Sequence, residues 1–151
     1  DWNLMLGVNI MGQALVCKYV VESMKPRNKG SIVNLGSISG VIAQENQLTY
    51  NVTKAAMISM SKCLALDLKE FGIRVNTVSP GWVMTENVQD LLYNQWKLDD
   101  AGIKERIGDL HLSGRIAESS EIASVIAFLA SEESSSINGA NIMADGGYTA
   151  V

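Results

Sequence analysis

At 151 residues the chain is long enough for one domain with a real core, and 47% hydrophobic with 19% charged residues is an ordinary globular mixture. The net charge of -4 argues against a nucleic-acid surface, which needs a basic patch. No apolar run reads as membrane-spanning and the start does not read as a signal peptide, so the expectation is a cytoplasmic protein with no membrane contact.

The chain opens DWNLMLGVNIMG, without an initiator Met and with almost no lead-in to a helix. That opening reads as a processed chain or a piece of something longer. Leu4, Val8, Met11, Leu15 and Val20 recur at helical spacing, which predicts a helix over 1–25 that is buried on more than one side. Pro26 is expected to stop it. SIVNLGS predicts a buried strand over 31–36, and a polar loop follows from Gly40 to Thr49. Tyr50 opens a second helix over 50–71, with Ala55, Met57, Ile58, Leu64 and Leu68 on its apolar side and Gly72 as its cap. IRVNTVS is β-branched and predicts a strand over 73–79, ended by Pro80-Gly81. The stretch 84–113 is mixed and helical in pieces. A helix over 118–131 follows, with Ser119 or Ser120 available as its cap, then a turn at Asn138-Gly139 and a last strand over 140–144. Alternating helices and strands imply α/β architecture with parallel pairing.

Cys17 and Cys63 lie in apolar helical patterns, away from any CxxC or Cys/His cluster, and read as buried free thiols. His111 is the only histidine, so a histidine triad or zinc site is poorly supplied. It is expected in a loop, and no metal is expected.

Two segments carry Tyr and Lys four apart: YNVTK from Tyr50 to Lys54, and YNQWK from Tyr93 to Lys97. That spacing sets a phenol and an ammonium on one helix face. Four tyrosines make one such match unsurprising, so context decides. Tyr50 follows a loop that leaves the carboxyl end of a strand, where open α/β sheets bind ligands, and Ser37 lies in that loop. Tyr93 sits in a polar stretch and reads as a surface pair with Lys97, or as a lid residue lining a substrate pocket.

The whole chain resembles the C-terminal part of a short-chain dehydrogenase/reductase. The resemblance rests on GSIVNLGSISG, YNVTKAA, IRVNTVSPGWVMTE, Gly114-Arg115, EIASVIAFLAS and SSSINGANIMADGG, in the family's order and spacing. It implies the C-terminal part of a doubly wound, Rossmann-type sheet. It implies Tyr50 as the acid/base and Lys54 as the lysine that favours the ionised phenol and holds the nicotinamide ribose. Ser37 matches the serine that hydrogen-bonds the substrate oxygen, and Asn9 the helix asparagine that supports a water-linked proton relay. Pro80, Gly81, Val83 and Thr85 match the segment at the carboxamide end of NAD or NADP. Ser39, Gln44 and Trp82 lie beside these positions and are expected to face the substrate, with 84–113 as its lid. Gly36 stands where many members have Ser, a departure expected to leave the chemistry untouched.

A larger departure is the lack of the family's Gly-rich turn and its N-N-A-G stretch. The adenosine half of the cofactor site is therefore not expected in these residues, and the strand over 31–36 is expected to present an open edge. The 151 residues alone are expected to bind dinucleotide poorly and to lack dehydrogenase activity. The resemblance implies an NAD(P)-dependent oxidoreductase acting on a small-molecule alcohol or carbonyl, sugar- or polyol-like, with a 3-oxoacyl-type reductase as an alternative. The broad apolar faces of the two long helices resemble the pair that assembles family members into homodimers or homotetramers. The other alternative is a non-catalytic fragment that serves as an oligomerisation module.

Overall fold

The computed structural model describes residues 2–150. Its first element, α1, is one helix over Trp2–Arg27, with a π turn at Gly7–Gly12 and a 3-10 turn at Lys25–Arg27. As expected, the α-helical hydrogen bonding ends at Met24, just ahead of Pro26. Pro26 sits inside the 3-10 turn, and Asn28, left-handed at φ 46°, ends that turn. α1 also has the length and hydropathy of a membrane span, contrary to the sequence-based expectation. One of its edges is polar and engaged with the rest of the fold. Asn9 donates to Thr53 Oγ1 at 3.0 Å, and Gln13 donates to Asn34 Oδ1 at 2.6 Å.

β1 (Gly30–Leu35), β2 (Ile73–Pro80) and β5 (Asn141–Ala144) form a parallel sheet in the order β1-β2-β5. β1 pairs with β2 in the register Gly30↔Ile73 to Leu35↔Val78, and β2 pairs with β5 from Thr77↔Asn141 to Pro80↔Ala144. Among the described residues β1 has one strand partner, β2, and stands at the edge of the sheet they form, as expected.

The sheet is covered on both faces, which is why its strands read as continuous apolar runs rather than alternating ones. On one face Ile32, Ile73 and Val75 pack against Cys17 and Val21 of α1 and Ala65 of the second helix, α2 (Leu48–Asp67). On the other, Val33, Val78 and Ile142 pack against Ile122 and Leu129 of the helix Ser119–Ala130. Each such side chain contributes roughly 1.5–3 kcal/mol when fully buried. Fully buried Asn34 is satisfied by Gln13 and by Ser61, to which it donates at 2.8 Å.

α2 begins at Leu48, two residues ahead of Tyr50, and the chain beyond it ends in a 3-10 turn, Lys69–Phe71, closed by Gly72 at φ 62°. A two-stranded parallel sheet pairs β3 (Val83–Met84) with β4 (Ala117–Glu118). Strands this short leave no periodic signal in a sequence. Between them run α3 (Glu86–Gln89), a π turn Asp90–Gln95, and α4 (Asp100–Arg106). This stretch has its own small core of Leu92, Ile103, Ile107 and Ile116, packed on Trp82, Met84 and Val88.

Two local expectations are corrected. The helix α5 (Ser119–Ala130) is not capped by Ser119 or Ser120, which lie inside its first turn. Its start is held by the Glu121 carboxylate, which accepts the Glu118 N–H at 2.8 Å. Cys63 is exposed, while Cys17 is buried, and burial pushes the Cys17 thiol up. His111 lies in a loop bend, as expected. It is buried, with Nδ1 2.9 Å from the Ile107 carbonyl, which makes Nδ1 the donor.

Candidate active site

A cleft of about 370 Å³ opens at the carboxyl ends of β1 and β2. Ligands of open parallel sheets bind at that end, because loops and helix N-termini converge there. The floor comes from Leu35, Gly36 and Ser37, one wall from Tyr50 and Lys54, and another from Pro80, Gly81, Val83 and Thr85.

Ser37 is placed by the turn that follows β1. It is extended (φ -172°, ψ 159°), and its hydroxyl accepts the Ser39 N–H at 3.1 Å to cap the 3-10 turn Ile38–Gly40. The same hydroxyl donates to Ser39 Oγ at 3.1 Å, which leaves Ser37 a lone pair for the cleft.

Tyr50 and Lys54 sit one turn apart on α2. Lys54 Nζ lies 5.5 Å from the Tyr50 ring centroid and donates to the Leu35 carbonyl at 2.8 Å, so it ties α2 to the last residue of β1. Burial pulls the Lys54 ammonium below its ordinary range. Tyr50 Oη has no hydrogen-bond partner among the described residues.

Asn9 does not line the cleft. It stands in the π turn of α1 and donates to Thr53 Oγ1, and the Thr53 hydroxyl in turn donates to the Tyr50 carbonyl at 2.9 Å. Asn9 therefore bears on the backbone turn that carries Tyr50. Such π bulges are frequent at functional sites.

The Pro80–Thr85 wall is held from behind. A Cβ on Gly81 would meet His111 Nε2 at 3.1 Å and Asp145 Cα and Cβ at 3.2 Å, so a side chain there would force the wall forward. His111 Nε2 is buried and without a partner among the described residues. Its ring also meets Tyr148 edge-on, at 5.1 Å between centroids. The sequence flagged His111 only as a lone histidine, and its place behind Gly81 left no pattern to read.

Asp145, beside it, is half of a tight turn. Burial works to raise its carboxyl, but the Thr149 hydroxyl and the N–H groups of Thr149 and Gly147 outweigh burial and hold it below its ordinary value.

Of the residues expected near substrate, Ser39, Gln44 and Trp82 line the cleft, and Gln47 and Val88 join them. Gln47 lies one turn before Tyr50, a helical spacing that could have singled it out. Trp82 leans edge-on against Trp96, with centroids 6.0 Å apart. Tyr93 is not among the residues that line the cleft. Its hydroxyl donates to Asp100 at 2.8 Å, and Lys97 adopts φ 56°, past the end of the π turn. The second Tyr-Lys pair is therefore not a helical pair.

The family model described as enoyl-(acyl carrier protein) reductase matches residues 1–149. D-threitol dehydrogenase from Mycolicibacterium smegmatis is 36% identical over 149 residues, which cover 99% of this chain and 55% of that protein. A structure of ElxO with NADP bound superposes with a TM-score of 0.91 at 30% identity, over all of this chain and 59% of that one. A short chain dehydrogenase family protein from Francisella tularensis subsp. tularensis SCHU S4 gives 0.86 at 36% identity, over 97% of this chain and 61% of that one. The chain thus spans a little over half the length of the relatives it matches. A match of this extent, on a parallel sheet with Ser37, Tyr50 and Lys54 at one cleft, means that the chain belongs to the short-chain dehydrogenase/reductase family.

Proposed function

We propose that these residues are the catalytic part of an NAD(P)-dependent oxidoreductase acting on a secondary alcohol or ketone, polyol- or sugar-like. One observation carries the reading: Ser37, Tyr50 and Lys54 line a single cleft, with Tyr50 Oη uncommitted and Lys54 Nζ near its ring. D-threitol, named for one relative, is a polyol, and NADP is named for one structural neighbour.

The residues present fit the nicotinamide half of such a cofactor. Lys54 spends one N–H on Leu35 and keeps others for ribose hydroxyls. Pro80, Gly81, Val83 and Thr85 border the same space. The chemistry a bound nicotinamide supplies there is hydride transfer to or from the carbon that bears the substrate oxygen. The protein's part is orientation and one proton. In oxidation Tyr50 Oη acts as the general base that takes the proton of the substrate hydroxyl, and in reduction it returns one. Ser37 Oγ holds the substrate oxygen throughout: its free lone pair accepts from an alcohol, and its proton swings from Ser39 Oγ to donate to a ketone.

The test is Tyr50→Phe in the intact enzyme. Turnover of alcohols and ketones should fall by at least about a hundredfold, with dinucleotide affinity held within a few-fold. Turnover that survives this substitution would refute the assignment.

Assembly into a homodimer or homotetramer belongs to the same proposal. Leu4, Val8, Met11 and Leu15 of α1 and Val52 of α2 are exposed and offer apolar surface for a partner subunit. Light scattering of the intact enzyme, giving at least twice the subunit mass, is the expected result.

A further inference from the structure

The floor of the cleft holds a directed chain of hydrogen bonds that the reaction itself does not require. Ser37 Oγ donates to Ser39 Oγ, and Ser39 Oγ donates to Gln44 Oε1. Ser39 is buried and spends its hydroxyl proton on Gln44. Its N–H is spent on Ser37. Neither polar group of Ser39 is left to donate to a ligand. Gln44 is different. Its oxygen is occupied, while Nε2 has no partner among the described residues and the side chain borders the same cleft as Ser37 and Tyr50. An amide whose oxygen is held by Ser39 carries two N–H donors on its other arm. Trp82 and Val88, which line the same cleft, offer carbon surface. The cleft therefore has one reacting corner, at Ser37 and Tyr50, and one donor a single serine away from it.

We propose that Gln44 is the specificity-determining residue of this site. Through Nε2 it takes a second substrate oxygen on the carbon next to the reacting one, so the preferred substrate is a vicinal diol or the matching α-hydroxy ketone. This rests on the oxidoreductase reading above and narrows it. The Ser39 bond keeps the Gln44 amide from turning its oxygen to the cleft, so an acceptor oxygen on the ligand is favoured and a donor-only group is not. A substrate without the second oxygen leaves the amide to water and gains nothing from it.

The experiment compares 2,3-butanediol with 2-butanol, which differ by that one hydroxyl, in the intact enzyme with NAD and with NADP. The wild type should favour the diol in kcat/KM by about tenfold or more. Gln44→Leu should bring the ratio down to near one by lowering diol kcat/KM about tenfold more than that of 2-butanol. Gln44→Glu keeps an acceptor for Ser39 but offers no donor, and should lose the preference in the same way. Gln47→Leu should leave the ratio intact. Wild-type turnover with no diol preference would overturn the proposal and leave the oxidoreductase reading standing. So would a Gln44→Leu variant that lowers both substrates equally, or a ratio that collapses in Gln47→Leu instead. A wild type that oxidises neither alcohol and reduces neither matching ketone overturns both.

Discussion

Gly36 and Ser79 touch where a side chain at residue 36 would have to go. A Cβ on Gly36 would lie 2.6 Å from Ser79 Oγ and 2.7 Å from Thr77 Cγ2. Ser79 is fully buried and donates to Asn141 Oδ1 at 2.6 Å, so it has little freedom to move aside. Gly36 Cα thus sits flush on β2, and its N–H reaches the Val78 carbonyl at 2.7 Å. Gly36→Ser, which restores the residue common at this position in the family, should destabilise the fold by about 1–3 kcal/mol through overpacking. Ser79→Ala in the same chain should return part of that loss, since the two sites couple through contact. Thermal unfolding of the single and double variants reads this directly. A Gly36→Ser protein as stable as the parent would contradict it.

That contact also marks the limit of what the sequence could say. The parallel α/β layout was legible, because strands such as IRVNTVS are apolar without alternation and the helices between them are long. Ser37, Tyr50 and Lys54 could be named from context and from the resemblance to the family, and the fold brings them to one cleft. What stayed hidden depends on distant partners. The α5 start went to Glu121 because Arg115, six residues away, holds that carboxylate in place. His111 gave no periodic signal, yet it is buried against Gly81, thirty residues earlier in the chain. Tyr93 and Lys97 had helical spacing but lie where the π turn ends, so the spacing was never used.

Glu121 carries a clear pH signature. The Arg115 guanidinium bonds both of its oxygens, at 2.7 and 2.8 Å, and with the Glu118 N–H pulls its carboxyl down to about 2. A carboxylate lowered in the folded state stabilises that state above its unfolded value, near 4.5, and the contribution drains away as pH falls toward about 2. An NMR titration of the Glu121 side chain should show that midpoint. Arg115→Gln should move it back toward the ordinary glutamate value, and a midpoint unchanged by that variant would mean the guanidinium is not the cause.

Tyr93 should titrate unlike an ordinary surface tyrosine. Its hydroxyl donates to the Asp100 carboxylate, and this bond, with the nearby negative charge, pushes the phenol up. Ultraviolet titration of the parent and of Asp100→Asn should differ by one tyrosine whose ionisation moves to lower pH in the variant. In the intact enzyme Tyr93→Phe should leave kcat within a few-fold, in contrast to Tyr50→Phe. If Tyr93→Phe were the inactive one, the choice between the two Tyr-Lys pairs would be wrong.

Asn9 and Thr53 allow stability and chemistry to be separated. Thr53 is fully buried, and its hydroxyl stands between Asn9 Nδ2 and the Tyr50 carbonyl. Thr53→Val keeps the shape and removes the acceptor, leaving an amide donor stranded, at a cost of about 1–3 kcal/mol. Asn9→Leu alone should cost a similar amount. With both partners made apolar no stranded group is left, so the double variant should recover much of the stability, by a coupling of about 0.5 kcal/mol or more. Turnover should behave differently. If Asn9 supports proton transfer near Lys54, as its place in the family implies, kcat stays low in every variant that lacks Asn9, including the stable double variant. Denaturant unfolding and steady-state kinetics on the same four proteins make the comparison. A double variant that regains both stability and turnover would reduce Asn9 to a structural bond between α1 and α2.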